Sequence, residues 1–354
     1  MADFVHLTNK TEYSLSEGAL PIARIAELCQ SFSMPAVGIS DNNNMFGALE
    51  FSEQIAKVGV QPILGCNIKI KTPKEYLHEN IEDNDLYFYL NIFSKNNEGY
   101  ENLLKCVSNA YTLNKGNACV TVDDLIKFKD GLIILSGGNN SILTHSTGHM
   151  ITKQSQQFIS DFKKEFNDNF YIEIQRFGSV DYRLNEEAVL NLAYDHQIPL
   201  VATNDAYFEG PEHFEAHDAL MCIEKKLYVS QADRTRLSKE HYFKTQNEML
   251  EQFHDLPEAL NNTIEIAQRC VHRPKIKNPI LPVYDDDQNK EKELMQKLAK
   301  DGLDDRLNTK FNIENIDIEQ QNEIRKAYEE RLFKELKIII NMKYEGYFLI
   351  VSDF

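Results

Sequence analysis

Residues 36–70 read AVGISDNNNMFGALEFSEQIAKVGVQPILGCNIKI. The stretch opens on a short apolar run, Ala36–Ser40, which breaks at the polar cluster Asp41-Asn-Asn-Asn44. Gly47–Ala56 then places apolar residues at helical spacing, and Pro62–Ile70 returns to a run that fits a buried strand. Strand, helix and strand in this order predict two parallel strands joined by a crossover helix. The pattern repeats outward in both directions. Phe4–Leu7, Leu86–Phe93, Gly131–Ser136, Phe170–Gln175 and Leu200–Thr203 are further candidate strands. Pro21–Cys29, Asn97–Tyr111, Ile151–Phe166 and Asn185–Tyr194 are candidate helices between them. Seven strands alternating with helices, with no break in strand order, predict an α/β fold with parallel strands closed into a (β/α) barrel.

The texture changes near Pro274. Arg273-Pro-Lys-Ile-Lys-Asn-Pro-Ile-Leu-Pro-Val-Tyr284 carries three prolines and runs into Asp285-Asp286-Asp287, a linker signature. Glu291–Leu307 and Glu319–Asn341 beyond it read as charged helices. The 354 residues therefore divide into a barrel over 1–275 and a mostly helical part over 276–354. The last residues, Gly346-Tyr-Phe-Leu-Ile-Val-Ser-Asp-Phe354, stop inside an apolar run, which is expected of a piece cut from a longer protein.

Lys and Arg number 38 against 55 Asp and Glu, a net charge of −17. That excess opposes a broad grip on a phosphate backbone or an anionic membrane. Six cysteines are scattered with no Cys-x-x-Cys pair, which reads as reduced thiols in a cytoplasmic protein. No apolar run is long enough to span a membrane, and Met-Ala-Asp-Phe-Val-His lacks the pattern of a signal peptide.

In such a barrel the chemistry sits at the C-terminal ends of the strands. The residues placed there are Thr8, Asn9, Lys10 and Thr11, then Asp41 and Asn42, Asn67, Tyr89, Phe177, and Asp205 with Tyr207. A hydrolytic metal site needs several imidazoles and carboxylates together. Only Asp41 and Asp205 qualify, with Glu173 inside a strand, and a lone Asp at a strand end commonly caps the next helix. The ten histidines fall elsewhere. His145/His149 and His213/His217 have i,i+4 spacing, but Phe214 stands where a zinc-protease helix carries its glutamate, so both pairs read as structural. Phosphate-cradling glycine loops and the Gly-x-Ser-x-Gly elbow are absent from the sequence.

At the same strand ends the sequence resembles a known family. Phe4-Val-His-Leu-Thr-Asn-Lys-Thr-Glu-Tyr-Ser-Leu-Ser-Glu-Gly-Ala19 is similar to the opening of the PHP (polymerase and histidinol phosphatase) domain of bacterial replicative DNA polymerase III alpha subunits. Ile39–Ala48, Gln61–Cys66, Ser94–Leu103, Gly131–Gly137, Ala202–Asp205, Ala216–Asp218, Asp255–Thr263 and Gly346–Phe354 continue the likeness in order along the whole chain. The resemblance implies a distorted (β/α)7 barrel of PHP type over 1–275, followed over 276–354 by a linker and the mostly helical start of a polymerase palm.

The departures from the family carry the functional content. Active members read His-x-His where this chain has Thr8 and Lys10, and Asp-His where it has Asp41-Asn42. Their glutamate ligand is Asn67, and their later histidines are Tyr89, Phe177 and Tyr207. Asp41 and Asp205 are the main survivors, so no bound metal is expected. Lys10 puts a fixed positive charge where a cation would sit and is expected to pair with Asp41 or Asp205.

By resemblance the parent protein is a DNA-directed DNA polymerase using Mg²⁺, with its catalytic aspartates beyond Phe354 and its main grip on primer-template DNA outside this stretch. The barrel is then a non-catalytic scaffold for other replicase subunits, a proofreading exonuclease subunit among them. The competing readings are a residual metal-dependent phosphoesterase or 3′–5′ exonuclease built on Asp41, Glu173 and Asp205, and a free-standing interaction protein.

Overall fold

The structure, a computed structural model, describes residues 3–77, 86–113, 117–138, 141–145, 151–177, 180–234, 236–276, 283–285, 287–314 and 316–354, with the backbone alone at 144–145 and 180–185. His78, His149 and most of the proline-rich linker lie outside the described residues. The chain divides into two compact units, Met1–Lys275 and Ile276–Phe354.

The first unit is built on six strands in sequential order: β1 Ala36–Asn42, β2 Gln61–Lys71, β3 Tyr87–Ser94, β4 Leu132–Leu135, β5 Phe170–Gln175 and β6 Leu200–Thr203. Helices alternate with them. These are α1 Ile22–Ser31, α2 Ala48–Lys57, α3 Asn97–Leu113, α4 Val122–Lys127, α5 Ile142–His145, α6 Lys153–Phe166, α7 Val180–Asp195, α8 Phe214–Lys225, α9 Gln246–Gln252 and α10 Pro257–Arg269. Several starts are fixed by the cap chemistry of their sequences. Thr121 accepts from the Asp124 N–H to open α4, and Thr152 and Thr245 form capping boxes on α6 and α9.

Two expectations need correction. The strands are not all parallel: β1–β2, β4–β5 and β5–β6 are, but β3 runs antiparallel to both β2 and β4. The connection from β2 to β3 holds no described crossover helix, only a short 3₁₀ turn at Lys74–Tyr76, and a direct return reverses the chain. Phe4–Leu7 is also not a laddered strand. It belongs to an extended segment, residues 4–11, that lies between β1 and the stretch following β6. Gly38 N–H donates to His6 O at 2.7 Å and Ser40 N–H to Asn9 O at 3.0 Å on one side. On the other, Lys10 N–H donates to Ala206 O at 2.8 Å and Ala206 N–H to Thr8 O at 3.1 Å. This segment is the seventh stave and closes the curled sheet.

The pleat sorts the strand residues into two faces. Val37, Ile39, Leu64, Ile68, Leu90, Ile92, Ile134, Ile172 and Leu200 pack outward in the large core shared with the helices. Val5, Leu7, Ala36, Ile63, Phe93, Ile133, Tyr171 and Val201 form a second cluster with Ile266, Ala267 and Cys270, at the end of α10. That cluster plugs one end of the barrel interior. Moving along the same inward columns, Ala36 gives way to Ser40, Ile63 to Asn67, Tyr171 to Glu173 and Gln175, and Val201 to Thr203. On reversed β3 the change runs backwards, from Phe93 to Asn91. The interior is thus apolar at one end and polar at the mouth.

In the second unit, α11 Gln288–Glu314 packs on α12 Ile318–Met342 and on α13 Glu345–Asp353. Asp317 caps α12 through the Gln320 N–H, and Lys343, at φ 57°, ends it. The apolar run at 346–353 is helical. Buried Glu291 accepts from the backbone N–H groups of Tyr284 at 2.7 Å and Asp285 at 3.0 Å. No helix among the described residues is long and apolar enough to cross a membrane.

One close approach governs how α3 meets β4. A Cβ on Gly99 would fall 2.0 Å from the carbonyl oxygen of Gly131, which is backbone and cannot yield. Gly99→Ala is expected to destabilise the first unit by about 2 kcal/mol or more, the cost of overpacking against a fixed neighbour. Urea unfolding measures it, and an unchanged midpoint would count against this packing.

Candidate functional site

The polar end of the interior gathers the residues at the strand ends. Lys10 is 1% exposed. Its Nζ donates to Ser40 O at 2.6 Å and Ser40 Oγ at 3.0 Å, and lies 3.5 Å from Asp205 Oδ1. Of the two aspartates, therefore, Asp205 is its ion-pair partner. That oxygen has no hydrogen-bond donor, so the ammonium charge is what compensates it. Asp205 has a left-handed backbone, φ 48°, and its N–H donates to Thr8 Oγ1 at 3.1 Å.

Asp41 is more deeply buried and differently used. Oδ1 accepts from the Thr11 N–H at 2.7 Å and Ser14 Oγ at 2.6 Å, and Oδ2 accepts from Thr11 Oγ1 at 2.7 Å. Burial pushes its pKa up, while these donors and the nearby Lys10 charge oppose the rise. Neither aspartate caps a helix. The N-cap of α2 is Gly47, with no side-chain bond, so Asp41 ties the 11–14 loop to β1 instead.

Glu173 sits deeper. Its carboxylate accepts from Asn91 Nδ2 at 3.0 Å, Gln175 Nε2 at 3.0 Å, Gly137 N–H at 3.2 Å and the Thr203 hydroxyl. Asn67 Nδ2 in turn donates to Asn91 Oδ1 at 2.9 Å. Burial pushes the Glu173 pKa up, partly offset by its donors. Asn42 donates to Glu17 through its side chain and to Ser14 Oγ through its backbone.

Aromatic rings occupy the remaining side of the mouth. Phe177 stacks on His241 at 3.8 Å between centroids and 17° between planes, and Tyr207 meets His241 and His217 edge-on at 5.9 and 5.7 Å. Tyr89 is half-buried. The i,i+4 pair is divided by environment: His213 is exposed ahead of α8, and His217 is buried with Nε2 2.7 Å from Glu17 O.

The donor chemistry does not suit a divalent cation. The carboxylate oxygens of Asp41 and Glu173 are taken up by protein donors, and an ammonium faces Asp205. Among the described residues, no three His, Cys, Asp or Glu side chains stand close enough to share an ion.

Sequence reasoning had missed Ser14, Asn91, Thr203 and His241. Asn91 was within reach, because it lies two residues from Tyr89 on the same face of β3. His241 arrives from a loop far along the chain, and no local pattern points to it.

With this geometry in hand, the comparisons with known proteins are specific. Residues 6–177 match the PHP domain model, and residues 293–354 match the bacterial DNA polymerase III alpha NTPase domain. Along nearly its whole length the chain is similar to DNA polymerase III alpha subunits. It is 37% identical to DNA polymerase III subunit alpha of Rickettsia felis over 99% of its own length and 28% of the relative's. The subunits of Caulobacter vibrioides, at 38%, and Escherichia coli, at 32%, align over 99% of the chain and 30% of their own lengths. The chain thus spans under a third of these relatives.

The buried imidazoles give a pH test. Burial lowers the pKa values of His6 and His241 from 6.5 to about 4 and pulls His217 down as well. Folded His241 stays neutral where the unfolded chain already binds a proton, so its stabilisation is full above pH 6.5 and is lost as pH falls toward 4. His241→Phe, which retains a ring against Phe177, is expected to remove up to about 3 kcal/mol of that acid-side loss. Melting curves of the two proteins across pH 4–7 measure it, and parallel curves would show that His241 is not held neutral.

Proposed function

We propose that this chain is the N-terminal part of a replicative DNA polymerase alpha subunit in which the PHP barrel is a non-catalytic scaffold. The observation that carries the reading is the Lys10 ammonium at the barrel mouth, set between Ser40 and Asp205 where the family's pattern has a histidine. Such a Lys–Asp tie does mechanically what a bridging metal does, joining the seventh stave to the loop after β6, without making a hydroxide or bracing a phosphoryl oxygen.

The parent is then a cytoplasmic DNA-directed DNA polymerase. It takes Mg²⁺ at aspartates outside this sequence and grips primer-template DNA through surfaces outside it. The barrel's own partners are other replicase subunits, including a proofreading exonuclease. No cofactor is assigned to residues 1–354, and this stretch alone is inactive. The residual phosphoesterase reading would need Asp41, Glu173 and Asp205 to converge on one ion, yet two of the three carboxylates are committed to hydrogen bonds.

Three measurements test the reading. Purified protein is expected to carry no stoichiometric Zn²⁺ or Mn²⁺ and to leave single-stranded DNA uncut in either metal; bound metal with cleavage abolished by Asp41→Ala would overturn it. Lys10→Ala is expected to lower stability by roughly 3 kcal/mol, because the buried Oδ1 of Asp205 is left without its counter-charge. An unchanged melting temperature would remove the tie. Pull-down against the exonuclease subunit tests the partner, and its failure counts against the scaffold role.

A further inference from the structure

Two loops on the rim of the mouth carry side chains that the buried network leaves unused. Leu15 and Phe46 are 67% and 65% exposed, and Leu49, in the first turn of α2, is 40% exposed. Single exposed apolar residues are ordinary, but these lie on loops sewn side by side. Asn44 Nδ2 donates to Tyr13 O at 2.8 Å, and the Asn42 N–H donates to Ser14 Oγ at 3.1 Å. The Tyr13 hydroxyl donates to Glu50 at 2.7 Å, and its ring lies so close to Gly47 that a Cβ there would fall 2.7 Å from Cδ2. A hydrogen-bonded frame thus presents these apolar groups to solvent, which lowers the ordering cost of a contact made there.

The charge around them is mostly negative. Residues 11–23 and 41–57 hold Glu12, Glu17, Asp41, Glu50 and Glu53 against a single base, Lys57 at the far end of α2. Lys10 is buried against Asp205, and Arg24 is engaged by Glu27 and Glu209. Asp41 is buried, which leaves four glutamates near the surface. A phosphate backbone would be repelled. A second copy meeting the same patch two-fold would set glutamate against glutamate. The chemistry left is a protein segment with apolar anchors flanked by lysine or arginine.

We propose that the rim formed by Leu15, Phe46 and Leu49 docks a basic amphipathic segment of a protein partner, with Glu17, Glu50 and Glu53 facing its cations. The inference rests on the scaffold reading, for which it supplies a surface. Its test needs no replicase subunit. A fluorescent helical peptide with Leu and Phe on one face and Lys and Arg on the other is titrated into the 354-residue protein by anisotropy. A matched peptide with Glu in place of the bases is titrated in parallel.

The basic peptide is expected to bind in a salt-sensitive manner, and the acidic one at least tenfold more weakly. Leu15→Ser with Phe46→Ser should weaken the basic peptide at least tenfold, as loss of central apolar anchors does, with an unchanged melting temperature. Glu50→Gln with Glu53→Gln should weaken it several-fold and flatten its salt dependence. Ile223→Ser with Tyr228→Ser, at exposed positions elsewhere, should leave it unaffected. No binding, equal binding of the acidic peptide, or equal loss in the Ile223/Tyr228 variant would overturn the proposal. So would self-association abolished by Phe46→Ser, which would make a second copy the occupant. Each of these outcomes leaves the exonuclease pull-down to judge the scaffold role separately.

Discussion

The first unit depends on compensating one buried positive charge. An ammonium taken out of water costs several kcal/mol unless acceptors surround it. For Lys10 those acceptors come from two different staves, Ser40 on β1 and Asp205 after β6. Satisfying the charge therefore draws the two edges of the curled sheet onto the segment between them. The backbone bonds of residues 6–10 run along the same seam. Asp205 reaches the ammonium from a left-handed conformation, which a non-glycine residue adopts at a cost of order 1 kcal/mol. Asp41 and Glu173 then lie in the field of the same cation, which opposes the upward push of burial on both.

Much of this was legible in the sequence because burial leaves a simple mark. The strands were found within a few residues, since each is an apolar run bounded by polar turns. The reversal of β3 was open to the same reading. Residues 71–86, KTPKEYLHENIEDNDL, hold no apolar helical face, and parallel neighbours require a crossover. The seventh stave was recognised as extended, but not that it would bind both sheet edges through isolated bonds rather than a ladder. That choice is made by residues 204–208, far away in sequence.

The site divides along the same line. Lys10, Asp41 and Asp205 stood out because strand ends are where a barrel exposes side chains. Which aspartate Lys10 would choose was not legible, because it depends on the Thr11 and Ser14 hydroxyls reaching Asp41 first. Period two on β3 and β5 links Tyr89 to Asn91 and Glu173 to Gln175, so half of the Glu173 network follows from residues already singled out. Thr203 and His241 do not, since strand neighbours and stacked rings are products of the tertiary fold.

An active metal pocket needs lone pairs that protein donors have not taken, and open volume for substrate. At this mouth the lone pairs of Asp41 and Glu173 are occupied from within, and the stacked pair of Phe177 and His241 fills space beside Tyr207. The loops that frame it nonetheless keep costly backbone: Ser16 at φ 61° and Asn43 at φ 51° join Asp205 in the left-handed region. Strain of this kind persists only where surrounding bonds fix it, and here Asn43 is held by Asn67 O and Lys69 N–H. A mouth filled and braced in this way fits the scaffold role proposed above. On that reading the surface left for a partner is the outer edge, where Leu15 and Phe46 face solvent among carboxylates.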